Sequence, residues 1–415
     1  LPLISLAEIN ISSDQNSYTV NSTETYNLNT GIRIEKILGI YADDVIFNIN
    51  GTIESWSSGA NSSPYTIQRG DVGLSDFDNT TINISSTGVV RQLGATGNAI
   101  FFYASQVGGI SNSTGNNLIN NGYILSTQSA VKIYNSQFDS IINSGQIVAD
   151  SGNGIWLDLE SNVTLIDNSG YQITGGSNGI YIGGVDSVTT INNQSSSTIA
   201  GGQASIQNYG SIGTIINAGT LSGPLRNNGT ITTFTNTGES NQVINTGVIT
   251  TLNNAQSKDA NGDYFPLTVQ GNLPTNYNII INSSSDYGKV MFSNPSGSTT
   301  FGINTSLSAI NISGNYEDVV GGLSASLSRL ASTSGNNGSL YWSLHDDDNN
   351  SWWDLNISYV GNQTINTDIS NSANNAYGYW IKENDGSSIN ISSNITTSGT
   401  NAHGIYSESS DTNTF

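Results

Sequence analysis

Hydrophobic and polar residues alternate in short runs along this chain, and the runs return at a regular spacing. Between Gly210 and Gly247 a few apolar residues precede an asparagine and then a glycine, with glycines at positions 210, 219, 229, 238 and 247. The steps between these glycines are 9, 10, 9 and 9, so two units give a period of about 19. One unit is too small to bury its apolar side, whereas stacked units cover one another. The pattern therefore predicts a solenoid.

Upstream of this region the same pattern has a longer period. Apolar segments of four residues begin at positions 99, 130, 154, 179 and 203, so the successive spacings are 31, 24, 25 and 24. Within each segment, strand alternation sends side chains such as Ile155 and Leu157 inward. Short strands separated by Gly and Asn corners are typical of a parallel β-helix. We predict an all-β fold, a right-handed parallel β-helix with an inserted or following β-rich module.

Asparagines run in step with the apolar segments. They are Asn120, Asn143, Asn168, Asn193 and Asn217. Because successive coils of a parallel β-helix are about 4.8 Å apart, side chains at equivalent positions stack directly. The sequence therefore predicts an internal ladder of amide groups.

Changes in the repeat divide the chain into four predicted regions. They are an N-terminal cap with the first coils at 1–70, the parallel β-helix at 71–254, a non-repeat β-rich module at 255–358, and a resumed, truncated repeat at 359–415. Within the module, the pattern at Tyr316–Leu330 allows a short amphipathic helix. The resumed repeat rests on two similar segments, Gly378–Ile381 and Gly404–Ser407.

The composition excludes several functional classes. The 415 residues carry a formal charge of −21, and their 10 Lys and Arg residues are scattered rather than clustered. Nucleic-acid binding and attraction to anionic lipids are therefore disfavoured. Without cysteine, the chain has no disulfides, thiol catalysis or Cys-based zinc sites. No apolar run is long enough to span a membrane, and we expect an extracellular protein.

Several of these features resemble a known class of secreted proteins. The NSG and NNG coils, the lack of cysteine and the stretch NYNIIINSSSDYGKVMF at Asn276–Phe292 look like the passenger regions of bacterial autotransporters, the type V secretion proteins. The stretch resembles the β-rich module that closes many such passengers, although here more repeat follows it. The resemblance implies export through the outer membrane, display at the bacterial surface or release from it, and an internal copy of that module.

Aromatic residues recur at the predicted outward position two residues after each segment start. The position holds Phe101, Lys132, Trp156, Tyr181 and Ser205, and then Trp380 and Tyr406 in the last repeat. An exposed column of rings suits stacking against sugars or packing against a partner molecule. We take the five aromatic members, Phe101, Trp156, Tyr181, Trp380 and Tyr406, as candidate binding residues. The alternative is that the rings lie under loops or only stack on one another between coils.

Calcium is the only cofactor with support in the sequence, and the predicted fold requires none. Asp259, Asn261 and Asp263 place oxygen atoms at alternate positions, as at the start of a calcium loop. The glycine expected at the sixth position is Tyr264, and the acid expected at the twelfth is Gln270.

Three hypotheses for the function follow. Enzymatic β-helices place carboxylates together on adjacent coils, but here the acids occupy non-equivalent positions, so no catalytic residue is assigned. The leading hypothesis is a non-enzymatic adhesin or binding stalk that recognises a cell-surface receptor or glycan. The first alternative is self-assembly of like molecules into a surface layer or filament, and the second is a polysaccharide lyase or hydrolase.

Overall fold

The computed structural model describes most of the chain as short strands. The described residues are 9–11, 17–20, 24–26, 32–33, 44–55, 65–69, 78–94, 97–104, 113–259, 261–263, 265–309, 312–323, 329–337, 340–345, 352–359, 363–365, 368–372, 377–382 and 389–408. All regular elements in these ranges are strands, which confirms the predicted all-β class. The chain forms two compact units, Leu1–Val248 and Ile249–Phe415.

Each coil of the first unit contributes one strand in turn to three sheets. Sheet A comprises Ile9–Ile11, Ser17–Val20, Ile46–Ile49, Thr81–Ile84, Asn116–Asn120, Gln137–Asn143, Asn162–Asn168, Ser187–Asn193, Ser211–Asn217 and Thr230–Asn236. Sheet B comprises Glu24–Tyr26, Thr52–Ser55, Val89–Gln92, Tyr123–Ser126, Gln146–Ala149, Gln172–Gly175, Thr198–Gly201, Thr220–Leu221 and Glu239–Ser240. Sheet C comprises Ile32–Arg33, Tyr65–Arg69, Asn98–Tyr103, Val131–Tyr134, Asn153–Asp158, Asn178–Ile182, Ala204–Asn208, Leu225–Asn227 and Val243–Asn245.

Neighbouring strands within these sheets run parallel, so the first unit is a parallel β-helix. The exception is the first strand of sheet A, Ile9–Ile11, which pairs antiparallel with Ser17–Val20. An irregular first coil is typical of solenoids, because a regular one would expose a strand edge ready to pair with another chain. The predicted cap at 1–70 stays a prediction.

Coil length falls along the first unit. In sheet A, Ile166 pairs with Ile191, a sequence separation of 25, whereas Ile215 pairs with Phe234, a sequence separation of 19. The coils become shorter in sheets B and C, where four- and five-residue strands are followed by strands of two and three residues, such as Thr220–Leu221 and Leu225–Asn227. Both periods were predicted from the sequence.

Columns of aliphatic side chains fill the interior of the first unit. Sheet A contributes Ile141, Ile166, Ile191, Ile215 and Phe234, and sheet C contributes Ile155, Ile180, Ile206, Leu225 and Val243, all fully buried. Burial alternates along the strands, as in Asn153–Asp158, where Ile155 and Leu157 point inward as predicted. Burying one such side chain contributes about 1.5–3 kcal/mol to folding.

Buried asparagines cap the end of each longer strand of sheet A and form the predicted ladder. Their Nδ2 atoms each donate to Oδ1 of the next member, over 2.7–2.9 Å, along the series Asn120, Asn143, Asn168, Asn193, Asn217 and Asn236. Each amide also donates to a backbone carbonyl of the next coil, as Asn143 does to Gln172. The ladder thus satisfies polar groups that the corner would otherwise leave buried without partners.

A second ladder begins where the coils become short. Asn208 donates to Asn227 over 2.7 Å, and Asn227 donates to Asn245 over 2.8 Å, at the end of sheet C. The short coils therefore have an asparagine corner on two sides, which explains why the sequence pattern returns there twice in every coil.

One predicted register is wrong. The segment starting at Gln203 was expected to align with the segment starting at Gly179, which would place Ser205 beside Tyr181. Instead Gln207 pairs with Tyr181, and Ser205 is fully buried. The Ser205 hydroxyl donates to the Ile199 carbonyl oxygen, so a small polar residue is accommodated inside the coil.

The second unit begins with further parallel coils. One set of paired parallel strands comprises Val248–Asn254, Asn276–Ile279 and Thr300–Ile303. The boundary between the two units falls within Val248–Asn254. A second pair comprises Leu267–Asn272 and Val290–Ser296. The strands Ile281–Ser283 and Asp286–Tyr287 form a small antiparallel pair. Parallel pairing therefore continues past Asn254, although longer loops replace the regular corners and hide the repeat in the sequence.

An antiparallel part follows. Its strands are Gly314–Gly321, Ser334–Asn337, Leu340–His345 and Trp352–Tyr359. The helix allowed at Tyr316–Leu330 is wrong over residues 316–321, which lie in a strand whose partner is Trp352–Tyr359. The alternation of buried Tyr316 and exposed Glu317 fits a strand better than a helix. Residues 324–328 lie outside the described ranges.

Parallel pairing returns at the end of the second unit. The pairs are Gln363–Ile365 with Ile389–Ile391, Ile369–Asn371 with Ile395–Thr397, and Tyr377–Lys382 with His403–Glu408. Tyr379 pairs with Ile405, which confirms the predicted alignment of Gly378–Ile381 with Gly404–Ser407.

Candidate binding site

The predicted ring column lies on consecutive strands of sheet C. Phe101 pairs with Lys132, Lys132 with Trp156, and Trp156 with Tyr181, so one residue from each of four coils falls in line. The next two positions hold Gln207 and Arg226 rather than rings.

Lys132 occupies the centre of a small cage in this column. Its Nζ atom lies 3.5 Å from the ring centroid of Trp156, and 5.7 and 5.9 Å from those of Tyr134 and Phe101. The same atom is 3.1 Å from Oδ2 of Asp158. The ammonium group is therefore held by ring faces and one carboxylate together. Phe101 is only 7% exposed, so the expectation that its ring is exposed is wrong, and its role in binding stays a prediction.

Trp156 connects the cage to two further rings. Its ring meets Tyr181 edge to face, with centroids 6.2 Å apart, and Tyr181 lies 5.7 Å from Tyr209 at an interplanar angle of 46°. Tyr209 is 46% exposed, and Tyr181 is partly exposed. The accessible end of the column is therefore the Tyr181–Tyr209 pair.

Sequence reasoning missed three of the rings. Tyr209 follows the strand Ala204–Asn208 and so falls outside the repeated segment. Tyr103 and Tyr134 stack with centroids 4.9 Å apart at the next outward position. Their pairing in register was a usable signal, because both lie four residues after a segment start. Nothing in the repeat pointed to Tyr209.

The other two predicted rings belong to the second unit. Tyr406 stacks on Tyr377, with centroids 4.4 Å apart and planes at 20°, and His403 lies 5.9 Å from Tyr377. The backbone of Trp380 pairs with that of Tyr406, but the Trp380 side chain lies outside the described part of the structure.

Acidic groups border the Tyr181 end of the column. Burial raises the pKa of Tyr181, and Tyr209, Asp158 and Asp186 raise it further by their charge. Asp186 is 1% exposed, and its two oxygens accept hydrogen bonds from the backbone N–H groups of Ser161, over 2.8 Å, and Gly183, over 3.0 Å. Burial raises the pKa of Asp186 to about 6, against this pull from its hydrogen bonds. With both oxygens facing backbone amides, this carboxyl group holds the turn in place.

The raised pKa of Asp186 predicts a pH-dependent contribution to stability. The folded state binds this proton more tightly than the unfolded chain, whose pKa is near 3.8. The stabilisation is therefore complete below pH 3.8 and is lost as the pH rises through about 6. We expect the unfolding free energy of wild type, relative to that of Asp186→Asn, to rise by up to about 3 kcal/mol as the pH falls from 7 to 4. Urea unfolding at several pH values measures it, and a difference independent of pH would contradict it.

The candidate calcium loop is stabilised by its own hydrogen bonds. Oδ1 of Asp259 accepts hydrogen bonds from the backbone N–H groups of Asp263 and Asn261, each over 2.9 Å. These bonds, that from Asp263 foremost, lower the pKa of Asp259. Among the described residues no three His, Asp or Glu side chains are grouped to hold a metal ion. Calcium binding at Asp259, Asn261 and Asp263 stays a prediction, which calorimetric titration of wild type and Asp263→Asn tests.

Comparisons with known proteins add no relative. Searches against protein-family models, curated proteins and solved structures each found no match for this chain. Within the described ranges, no helix is long and apolar enough to cross a membrane.

Proposed function

We propose that this chain is a non-enzymatic β-helical binding protein that acts as an adhesin, with the outer end of its ring column contacting the partner. The observation that carries the proposal is the run of aromatic side chains from Tyr134 through Trp156 and Tyr181 to Tyr209, on one face of consecutive coils. Partly exposed aromatic groups supply large contact areas at a low cost in conformational entropy.

The interior behind this face supports a binding role. Ile155, Ile180 and Ile206 are fully buried beneath the strands that carry the rings. Hydrogen-bonded parallel strands and the asparagine ladder fix the spacing of successive coils. Rings fixed in this way lose little freedom on binding, so more of the contact energy appears as affinity.

The proposal includes location outside the cell. The absence of cysteine fits a chain that passes unfolded through an oxidising compartment, and the charge of −21 fits a protein that does not bind nucleic acid. The resemblance of the coils and of Asn276–Phe292 to autotransporter passengers supports export through a bacterial outer membrane and display at the surface, where the coils act as a stalk.

Adhesion of coated beads tests this function. Beads carrying residues 1–415 would be applied to host cells and to immobilised glycans, with wild type compared with the double variant Tyr181→Leu, Tyr209→Leu. We expect the double variant to reduce adhesion about ten-fold or more, as for central aromatic residues of other interfaces. Tyr171→Leu is the matched control, because Tyr171 is 56% exposed and belongs to no ring contact in the described structure. Unchanged adhesion by a folded double variant would contradict the proposal.

A further inference from the structure

One positively charged side chain of the first unit, that of Lys132, already lies within the ring column. Lys132 is 15% exposed in its side chain, yet its ammonium lies against Trp156 at 3.5 Å and against Asp158 at 3.1 Å. Tyr134 and Phe101 complete the enclosure. Ring faces attract cations through their quadrupole, and a neighbouring carboxylate adds a charge of opposite sign. The cage shows which ligand chemistry this surface stabilises.

The next coils carry two further rings of this column, without a resident cation. The rings of Tyr181 and Tyr209 form a wedge, with planes at 46° and centroids 5.7 Å apart, and Tyr209 is 46% exposed. Within the described residues, no lysine or arginine lies over either ring. The wedge is therefore open to a cation from outside the chain.

The charge around the wedge also favours a cation. Asp186, and Asp158 although it also pairs with Lys132 over 3.1 Å, raise the pKa of Tyr181 by their charge. Over longer distances the charge of −21 attracts positively charged molecules and repels negatively charged ones, including anionic membranes and acidic glycans.

We propose that the Tyr181–Tyr209 wedge binds a lysine or arginine side chain of a basic polypeptide. This inference rests on the proposed function, because it names the partner of the same ring column. A polypeptide fits better than a zwitterionic lipid surface, since only a ligand of net positive charge gains from the overall charge of this chain. The side chain enters with its ammonium or guanidinium group against the two rings, as Lys132 does against Trp156.

Fluorescence anisotropy with a labelled peptide tests this inference. The probe is a peptide of alternating lysine, arginine and glycine, and the control probe has its lysines acetylated and its arginines replaced by glutamine. The full chain would be titrated as wild type, as Tyr181→Leu with Tyr209→Leu, and as Tyr171→Leu. We expect about ten-fold weaker binding for the double variant, no change for Tyr171→Leu, and no binding of the neutral probe.

Two results would overturn the inference. If the double variant binds the basic peptide as tightly as wild type, with only a strong dependence on salt, the peptide is held by the acidic surface at large and not by the rings. If bead adhesion needs Tyr181 and Tyr209 but excess basic peptide does not compete with it, the rings bind another ligand class. In that second case the proposed function stands and the inference fails, whereas adhesion independent of the rings removes both.

Discussion

Replacing Asn193 by alanine is expected to lower the free energy of unfolding by about 3 kcal/mol. Asn193 is fully buried, accepts a hydrogen bond from Asn168 over 2.9 Å, and donates to Asn217 over 2.8 Å and to the Thr220 carbonyl over 3.2 Å. The shorter side chain leaves the Asn168 amide and the Asn217 carbonyl oxygen buried without this partner. The cost is large because a buried polar group that loses its partner has no water to replace it.

Asn192→Ala is the matched control for this measurement. Asn192 is the preceding residue, points outward and donates to Oδ1 of Asp167, which also accepts from Gln194. Truncating Asn192 leaves Asp167 and Gln194 accessible to water, so we expect the free energy of unfolding to change by less than about 1 kcal/mol. Urea unfolding followed by circular dichroism gives both values. Equal losses for the two variants would show that the ladder adds no stability of its own.

Replacing Gly229 by alanine is expected to lower the free energy of unfolding by about as much as Asn193→Ala does, because the added methyl group crowds the neighbouring coil. A Cβ atom added at Gly229 would overlap the carbonyl oxygen of Gly210 in the preceding coil. That oxygen accepts a hydrogen bond from the N–H of Thr230 over 2.9 Å, so the coils cannot separate without weakening this bond. Overpacking of this kind costs about 1–3 kcal/mol, and the weakened hydrogen bond adds to it.

Gly184→Ala provides the comparison for Gly229→Ala. An added Cβ at Gly184 meets no atom within 4 Å, and the backbone of this turn glycine lies outside the left-handed region. We expect the Gly184 variant to match or slightly exceed wild type in stability, because alanine restricts the unfolded chain. A similar loss at both positions in thermal unfolding would show that the close approach of coils is not the cause.

The periodic features of the fold were predictable from the sequence because the solenoid repeats one contact many times. Each buried column, such as Ile155 with Ile180, and each ladder step, such as Asn143 to Asn168, recurs with the coil length. The spacing of Asn and Gly residues therefore gives the coil length and the direction of the side chains together. The contacts between coils therefore follow from the repeat itself.

Features that depend on a single coil were not predictable in this way. The corner before Ala204–Asn208 shifts the register by two residues, and hydrogen bonding by the buried Ser205 compensates for its polarity. At Gly314–Gly321 the local pattern suited either a helix or a strand, and the partner strand Trp352–Tyr359 decides the outcome. Such choices depend on tertiary contacts far away in the sequence.

The candidate site was predictable only in part, for the same reason. The alignment of Trp156 with Tyr181 follows from the repeat. The enclosure of Lys132 depends on Tyr134 and Asp158, which the aromatic pattern alone did not connect. Tyr209 lies beyond its strand, where periodicity gives no information, and yet it is the most exposed ring of the column.

Footprinting of tyrosines tests most directly the claim that the ring column is the binding face. Residues 1–415 would be labelled at exposed tyrosines, free and while bound to the surface that the coated beads recognise, and the labelled positions read by mass spectrometry. The account predicts that Tyr181 and Tyr209 lose reactivity on binding, whereas Tyr171 labels equally in both states. Full labelling of Tyr181 and Tyr209 in the bound state, with protection elsewhere on the chain, would contradict it.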